Sequence, residues 1–200
     1  MRKHGLKVMQ RVAYKVTTQQ NRSDKVALNL VNMEFNPSAP NQVWAGDIIY
    51  LRTAEGWCYL SVVMDLYSRR IIGWSIDKNM TAELVERSLE QACWLKKRPK
   101  GVVFHSDRGS QYTSDRFKSL IQKLGIKQSM GDTGACWDNA VVGRFFGSLK
   151  HDWLLKVREH IRQDVTAYMN YYNMRRLHTA NGHVSPVDYE NYKLSVSESS

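Results

Sequence analysis

Val43-Trp44-Ala45-Gly46-Asp47-Ile48-Ile49-Tyr50-Leu51 is apolar on both alternating faces except at Asp47. That pattern describes a strand covered on both sides, the kind found inside α/β sheets. Trp57 to Leu66 and Ile71 to Ile76 follow as further strands. Polar turns at Glu55-Gly56 and Ser68-Arg69-Arg70 separate them, links short enough for an antiparallel meander. The period then changes. Thr81 is placed to cap a helix with Leu84, Ser88, Leu89, Ala92 and Leu95 on one face, stopped by Pro99. Gly101 to Ser106 is a short apolar strand ending at Asp107. Ser114 caps a second helix with Phe117, Leu120, Ile121 and Leu124 inward, and Gly125 closes it. Ile126 to Met130 reads as a fifth strand, and Gly131 to Trp137 as a loop. Asp138 then caps a helix running through Phe145, Phe146, Leu149 and Trp153, and a last helix carries Ile161, Val165, Tyr168 and Tyr172. The order βββ-α-β-α-β-α predicts an α/β fold, a mixed five-stranded sheet flanked by helices.

Outward from this core, residues 1–40 read as a basic arm or linker ending in Asn36-Pro37-Ser38-Ala39-Pro40. Two prolines in four residues disfavour regular structure there. The core spans 41–157, a helical extension 158–192, and residues 193–200 a Ser-rich frayed tail. Of the net charge of +10, residues 1–27 supply +6, from seven Lys and Arg against Asp24. A basic arm on a mildly basic body favours a polyanionic partner, with a solvated tail as the alternative. Cys58, Cys93 and Cys136 form no Cys-x-x-Cys pair and read as core thiols in a reducing cytoplasm. His178 and His183 have no cysteine pair with them, which argues against zinc. No apolar run is long enough to span a bilayer, and the first ten residues lack a signal-peptide pattern.

Asp47 is a carboxylate in the middle of an otherwise apolar strand, expensive to bury without a cation. Asp107 ends another strand, where ligands collect in α/β sheets, although a turn or capping aspartate reads the same way. If the two strands are neighbours the carboxylates converge and repel, and a divalent cation relieves the repulsion. Oxygen ligands without Cys or His select Mg²⁺ or Mn²⁺. Two carboxylates beside a basic surface suggest phosphoryl transfer on a nucleic acid, for which a third acid completes the second ion's shell.

Four motifs then acquire a common meaning. Trp44 to Tyr50, His105-Ser106-Asp107-Arg108-Gly109-Ser110-Gln111-Tyr112, Trp137-Asp138-Asn139-Ala140 and Phe145-Phe146-Gly147-Ser148-Leu149-Lys150 together closely resemble the integrase core of insertion-sequence transposases of the IS-three family, second reading-frame product. Tyr171-Tyr172-Asn173, Arg176, His178 and Ser185-Pro186 match the same family's tail, so the resemblance covers roughly residues 8–190. It implies an RNase H-like fold of the retroviral-integrase kind, Mg²⁺-dependent DNA strand cleavage and joining, and an Asp-Asp-Glu triad. Asp47 and Asp107 match the first two acids. The third belongs after 35 intervening residues, at position 143, and there the chain has glycine. Asp138 and Asp152 stand on other parts of the helix and do not substitute for it. The expectation is therefore a transposase core that is inactive or severely impaired.

Lys150, two helical turns beyond Gly143, is a candidate DNA contact, with Arg144 and His151 flanking it and Arg108 beside Asp107. Each also reads as an ordinary solvated or carboxylate-pairing residue. Trp137 and Tyr112 are candidates for base stacking, with packing as the commoner role. The run Tyr168, Tyr171, Tyr172 reads as helix packing. Three functions stay open: a transposase core, a catalytically dead DNA-binding subunit, and a different RNase H-like nuclease. The family resemblance implies at least a homodimer, because joining two element ends needs two active sites. With no helix-turn-helix visible in residues 1–40, recognition of those ends falls to an upstream segment or a separate partner.

Overall fold

A computed structural model of the chain describes residues 26–198 except 33, 54–55, 132–139 and 154–159. The expected basic arm up to residue 25, Cys136, the Asp138 cap and most of the Gly131–Trp137 loop lie outside the described residues. The five strands are β1 (Val43–Thr53), β2 (Gly56–Asp65), β3 (Arg70–Asp77), β4 (Val103–Ser106) and β5 (Lys127–Met130). They form one sheet in the order β3-β2-β1-β4-β5. The meander β1-β2-β3 is antiparallel, whereas β1 with β4 and β4 with β5 pair parallel through helical crossovers. The helices are α1 (Ala82–Leu95), α2 (Asp115–Leu124), α3 (Ala140–Ser148), α4 (Ile161–Met174) and α5 (Pro186–Glu198). Among the described residues no helix is long and apolar enough to cross a membrane.

The alternation of each strand divides its side chains between two cores. Trp44, Val63, Ile72 and Phe104 face α1 and α2, and Ala45, Ile49, Leu60, Val62 and Met64 face α3 and α4. α1 approaches β3 closely. A Cβ at Gly73 would stand 2.0 Å from the Ser88 carbonyl oxygen, so only glycine fits. Ser114 Oγ accepts from Phe117 N–H at the start of α2, and Gly125 closes that helix in the left-handed region at φ 69°. Cys58 and Cys93 are buried free thiols, and burial pushes Cys93 up to about 11, so they act as small core residues.

Several local expectations are corrected. Thr81 precedes α1 without a side-chain cap bond. The helix ends before Pro99, because Lys97 and Arg98 already turn to positive φ, and Leu95 is exposed rather than inward. β1 is covered on both sides only as far as Ile49; Tyr50 and Arg52 project to solvent where the hairpin outruns the helices. The helix expected through Trp153 is α-helical only to Ser148, and a π turn spans Leu149–Trp153. The Ser-rich segment, expected to fray, continues α5 to Glu198.

Both edges of the sheet are occupied. On β5, Leu30 N–H donates to Ser129 Oγ and Met130 N–H to the Leu28 carbonyl, so part of the expected linker packs on the core, with Val31 buried. On β3, the Asn173 side chain accepts from Ile71 N–H (2.9 Å) and donates to the Ile71 carbonyl (2.8 Å). An amide from α4 thus completes the ladder in place of a sixth strand, which protects an edge from outside pairing.

Candidate active site

β1 and β4 pair as Val43 with Val103, Trp44 with Phe104 and Ala45 with His105. Carried two residues further, this register sets Asp47 opposite Asp107, on adjacent strands spaced ~4.8 Å apart. A parallel crossover therefore joins two acids that lie far apart in the sequence. The Asp47 side chain points to the same face as Ala45 and Ile49, towards α3, because side chains alternate along the strand. Gly46 permits the approach of β4 at this level, since a Cβ there would stand 2.3 Å from the Phe104 ring.

The two carboxylates differ in surroundings. Asp47 is partly buried, and its pKa is raised to about 7, first by desolvation, then by the charge of Asp107. The Ile48 N–H, 2.7 Å from its Oδ1, opposes that rise. Asp107 is open to solvent on one side, yet the surrounding protein also raises its pKa, offset by Gly109 N–H at 3.0 Å. At pH 7 two facing carboxylates, one of them reluctant to ionise, make a site that a cation stabilises.

Gly143 lies in α3, which packs over β1 through Val142, Phe145, Phe146 and Leu149. It is exposed, and a Cβ built on it meets nothing within 4 Å. Among the described residues no group of three His, Cys, Asp or Glu gathers to hold a metal. Position 143 is thus open space in which a longer side chain would fit.

The remaining candidates separate. Arg108 Nε donates to the Gly131 carbonyl at 2.8 Å, tying the end of β4 to the residue after β5. Arg144 is exposed on α3. Lys150 and His151 are exposed in the π turn, whose wider winding breaks the regular 100° step that would put Lys150 on the face of Gly143. Tyr112 is not available to stack on a base: it is 1% exposed and packed between Phe104 and Phe117. Burial raises its pKa well above normal, and the charges of Asp47 and Asp107 add to that. Trp137 lies outside the described residues. Tyr168 and Tyr172 are buried against Phe145, as helix packing requires.

Arg69 was not anticipated. It stands at φ 63° in the β2–β3 turn, and its guanidinium donates to the Phe35 carbonyl and to Asn36 Oδ1. Its left-handed backbone, uncommon for a non-glycine residue, has no signature in the local sequence.

A mixed sheet with two acids at the β1–β4 junction and a helix laid across them defines the class of integrase-like catalytic cores. Family models described as "Integrase core domain" match residues 37–136 and 124–186. The chain is 41% identical over 200 residues to "Transposase InsF for insertion sequence IS3A" of Escherichia coli (strain K12), covering 98% of this chain and 69% of that protein. It is 45% identical over 175 residues to "Transposase InsF for insertion sequence IS3fB" of the same organism, covering 85% and 61%. The fold is shared with the HTLV-2 integrase catalytic core domain in complex with magnesium, at TM-score 0.62 and 18% identity, covering 78% of this chain and 99% of that one. It is shared too with a chain of the simian T-cell lymphotropic virus intasome, at TM-score 0.68 and 20% identity, covering 78% and 56%. The chain belongs to the integrase-core family of insertion-sequence transposases, of the IS-three kind.

Proposed function

We propose that this chain is the catalytic core of a DNA transposase whose Asp47 and Asp107 hold Mg²⁺ or Mn²⁺, and that Gly143 leaves it inactive or severely impaired. The reading rests on one observation: two carboxylates face each other across β1 and β4, the first with its pKa raised to about 7. The donor set fits a hard divalent cation, being all oxygen and partly desolvated. Bound there, such an ion supplies charge neutralisation and activation of the attacking and leaving oxygens. The chain's own residues do the positioning. Ile48 N–H and Gly109 N–H each fix one carboxylate oxygen, and the Arg108 tether holds the end of β4. The family reaction is attack on a phosphodiester by water for cleavage and by a 3′-hydroxyl for joining, on transposon ends and target DNA. Arg144, Lys150, His151 and Arg108 are the proposed backbone contacts. Two ends call for at least a homodimer, and end recognition for an upstream helix-turn-helix segment or partner, in the bacterial cytoplasm.

The test is a Mg²⁺-dependent strand-transfer assay of this chain beside Gly143→Glu. The substitution is expected to raise activity by about 100-fold or more, the scale of a missing charge-stabilising group in a desolvated site. Equal robust activity in both overturns the inactivity. A second reading, a DNA-binding subunit that is catalytically dead, is favoured by the open space at Gly143. It predicts that calorimetry finds no Mg²⁺ or Mn²⁺ uptake while DNA binding persists.

A further inference from the structure

On the α3 face of the sheet, the same face as Asp47, basic side chains from three separate segments meet. Arg144 stands on α3 one residue after Gly143. Arg176, just beyond α4, donates through Nη2 to Ser148 Oγ at 2.9 Å. Ser148 lies four residues after Arg144, so the two share one helical face about 6 Å apart at Cβ. Arg69 is held at its unusual backbone angle by the bonds to Phe35 and Asn36, and the Phe35 ring packs edge-on against His105 of β4 at 6.1 Å. His178 closes the group, stacked edge-on against Tyr172 at 4.8 Å, with its Nε2 buried and without a hydrogen-bond partner.

These groups feel one another. Burial first, and then Arg144, lower the Arg69 pKa, while Tyr172 and Asp65 act against that. His178 is pushed down to about 4, by burial and then by Arg176 and Arg69. Arg144 donates to no protein acceptor among the described residues, although a guanidinium carries five N–H donors. Like charges gathered on a half-buried surface repel unless an anion sits among them, and guanidinium forks match phosphate oxygens.

We infer that Arg69, Arg144 and Arg176, grouped around His178, form a subsite for a backbone phosphate of the DNA bound at Asp47 and Asp107. This rests on the transposase-core reading and gives it a direction. Leu66 N–H bonds to the Val43 carbonyl, so the Arg69 turn lies beside the start of β1, four residues before Asp47. That is about 13 Å along the strand, or roughly four nucleotides of duplex at 3.4 Å per step. The strand therefore runs from the carboxylates along α3 towards the α4–α5 connection.

The test measures binding of a fluorescent 30-base-pair duplex to the full chain by anisotropy over a salt series. Arg144→Gln should weaken binding about three- to tenfold near 0.1 M salt and lower the slope of log K against log salt by about 1. Arg144→Gln with Arg176→Gln should lower it by about 2, and Lys123→Gln, an exposed charge on α2, should leave it unchanged. Arg144 has no partner to lose among the described residues, so its variant keeps the test valid if Arg176→Gln unfolds. An unchanged slope in Arg144→Gln overturns the subsite, as does an equal change in Lys123→Gln. Inorganic phosphate is the second probe. If 10 mM phosphate raises the melting temperature of the parent chain but not of Arg144→Gln, while the duplex slope stays the same, the site takes a small anion and the DNA assignment falls. A parent chain that binds no duplex instead overturns the transposase-core reading itself.

Discussion

Two clusters of acids in this domain, Asp65 with Glu190 and Asp47 with Asp107, are arranged in opposite ways. Asp65 and Glu190, 0% and 4% exposed at the side chain, share Lys96 and Arg70. Arg70 lies 2.6 Å from Glu190, and Lys96 lies 3.6 Å from Asp65 and bonds Glu190 directly. The remaining lone pairs are used as well: Asn41 and Tyr67 N–H donate to Asp65, and Ser68 Oγ to Glu190. Glu190 is held below its usual pKa by these partners despite its burial, whereas burial still wins at Asp65, which is farther from Lys96. Among the described residues, the charged group that shifts Asp47 is another acid, Asp107, and not a cation. The first group is satisfied within the chain and pins α5 to the β2–β3 turn and the end of α1. The second finds no such cation among the described residues. Whether an acid here is neutralised follows from what faces it, not from how deeply it is buried.

Breaking the satisfied group should have the largest effect on stability. Lys96→Met leaves Asp65 and Glu190 without their shared cation and is expected to cost about 3–5 kcal/mol, read by urea or thermal unfolding. A loss below about 1 kcal/mol would erase the contrast between the two groups. The unsatisfied group should respond in the opposite sense. Asp47→Asn removes the repulsion with Asp107 and is expected to stabilise the metal-free chain by about 1–2 kcal/mol, while abolishing divalent-ion binding measured by calorimetry.

The pH dependence sharpens this. Asp47 binds its proton more tightly folded, with a pKa of about 7 against an ordinary 3.8. The folded state then holds more protons than the unfolded one between those values, so stability falls as pH rises from about 4 to 7. Melting temperatures of the metal-free chain should show that decline, and Asp47→Asn should flatten it. A decline of equal size in both would place its origin elsewhere. The smallest effect is expected at the sheet edge. Asn173→Ala unpairs the Ile71 backbone at a cost of about 0.5–1 kcal/mol, because water can reach an edge strand. Amide exchange at Ile71 should accelerate while the central strands stay protected.

Much of the fold was legible because periodicity reports burial. Asp47 stood out as the polar residue in an apolar strand, Asp107 as the acid ending another, and Ser114 and Gly125 as the ends of α2. The motif spacing located position 143, and α3 indeed presents it exposed and open. What was not legible depends on partners distant in sequence. Arg69 has no local signature, and its role follows from Phe35 and Asn36. α5 carries no apolar stripe to announce it, and Glu190 joins the core through ions more than ninety residues away along the chain. The π turn at Leu149 shifts the phase of Lys150 and His151, which regular helical spacing cannot foresee. For Tyr112 the sequence left base stacking and packing both open, and the closure of α2 over β4 decides for packing.

The two acids and the glycine at position 143 were legible in the amino-acid sequence, since residue type and spacing are local facts. Their confrontation was decided by the tertiary structure. A parallel crossover brings β4 beside β1, and only then do Asp47 and Asp107 come close enough to repel. The same holds for the arginines of the α3 face, because electrostatic energy depends on separation in space, and the chain sets that separation only when it folds.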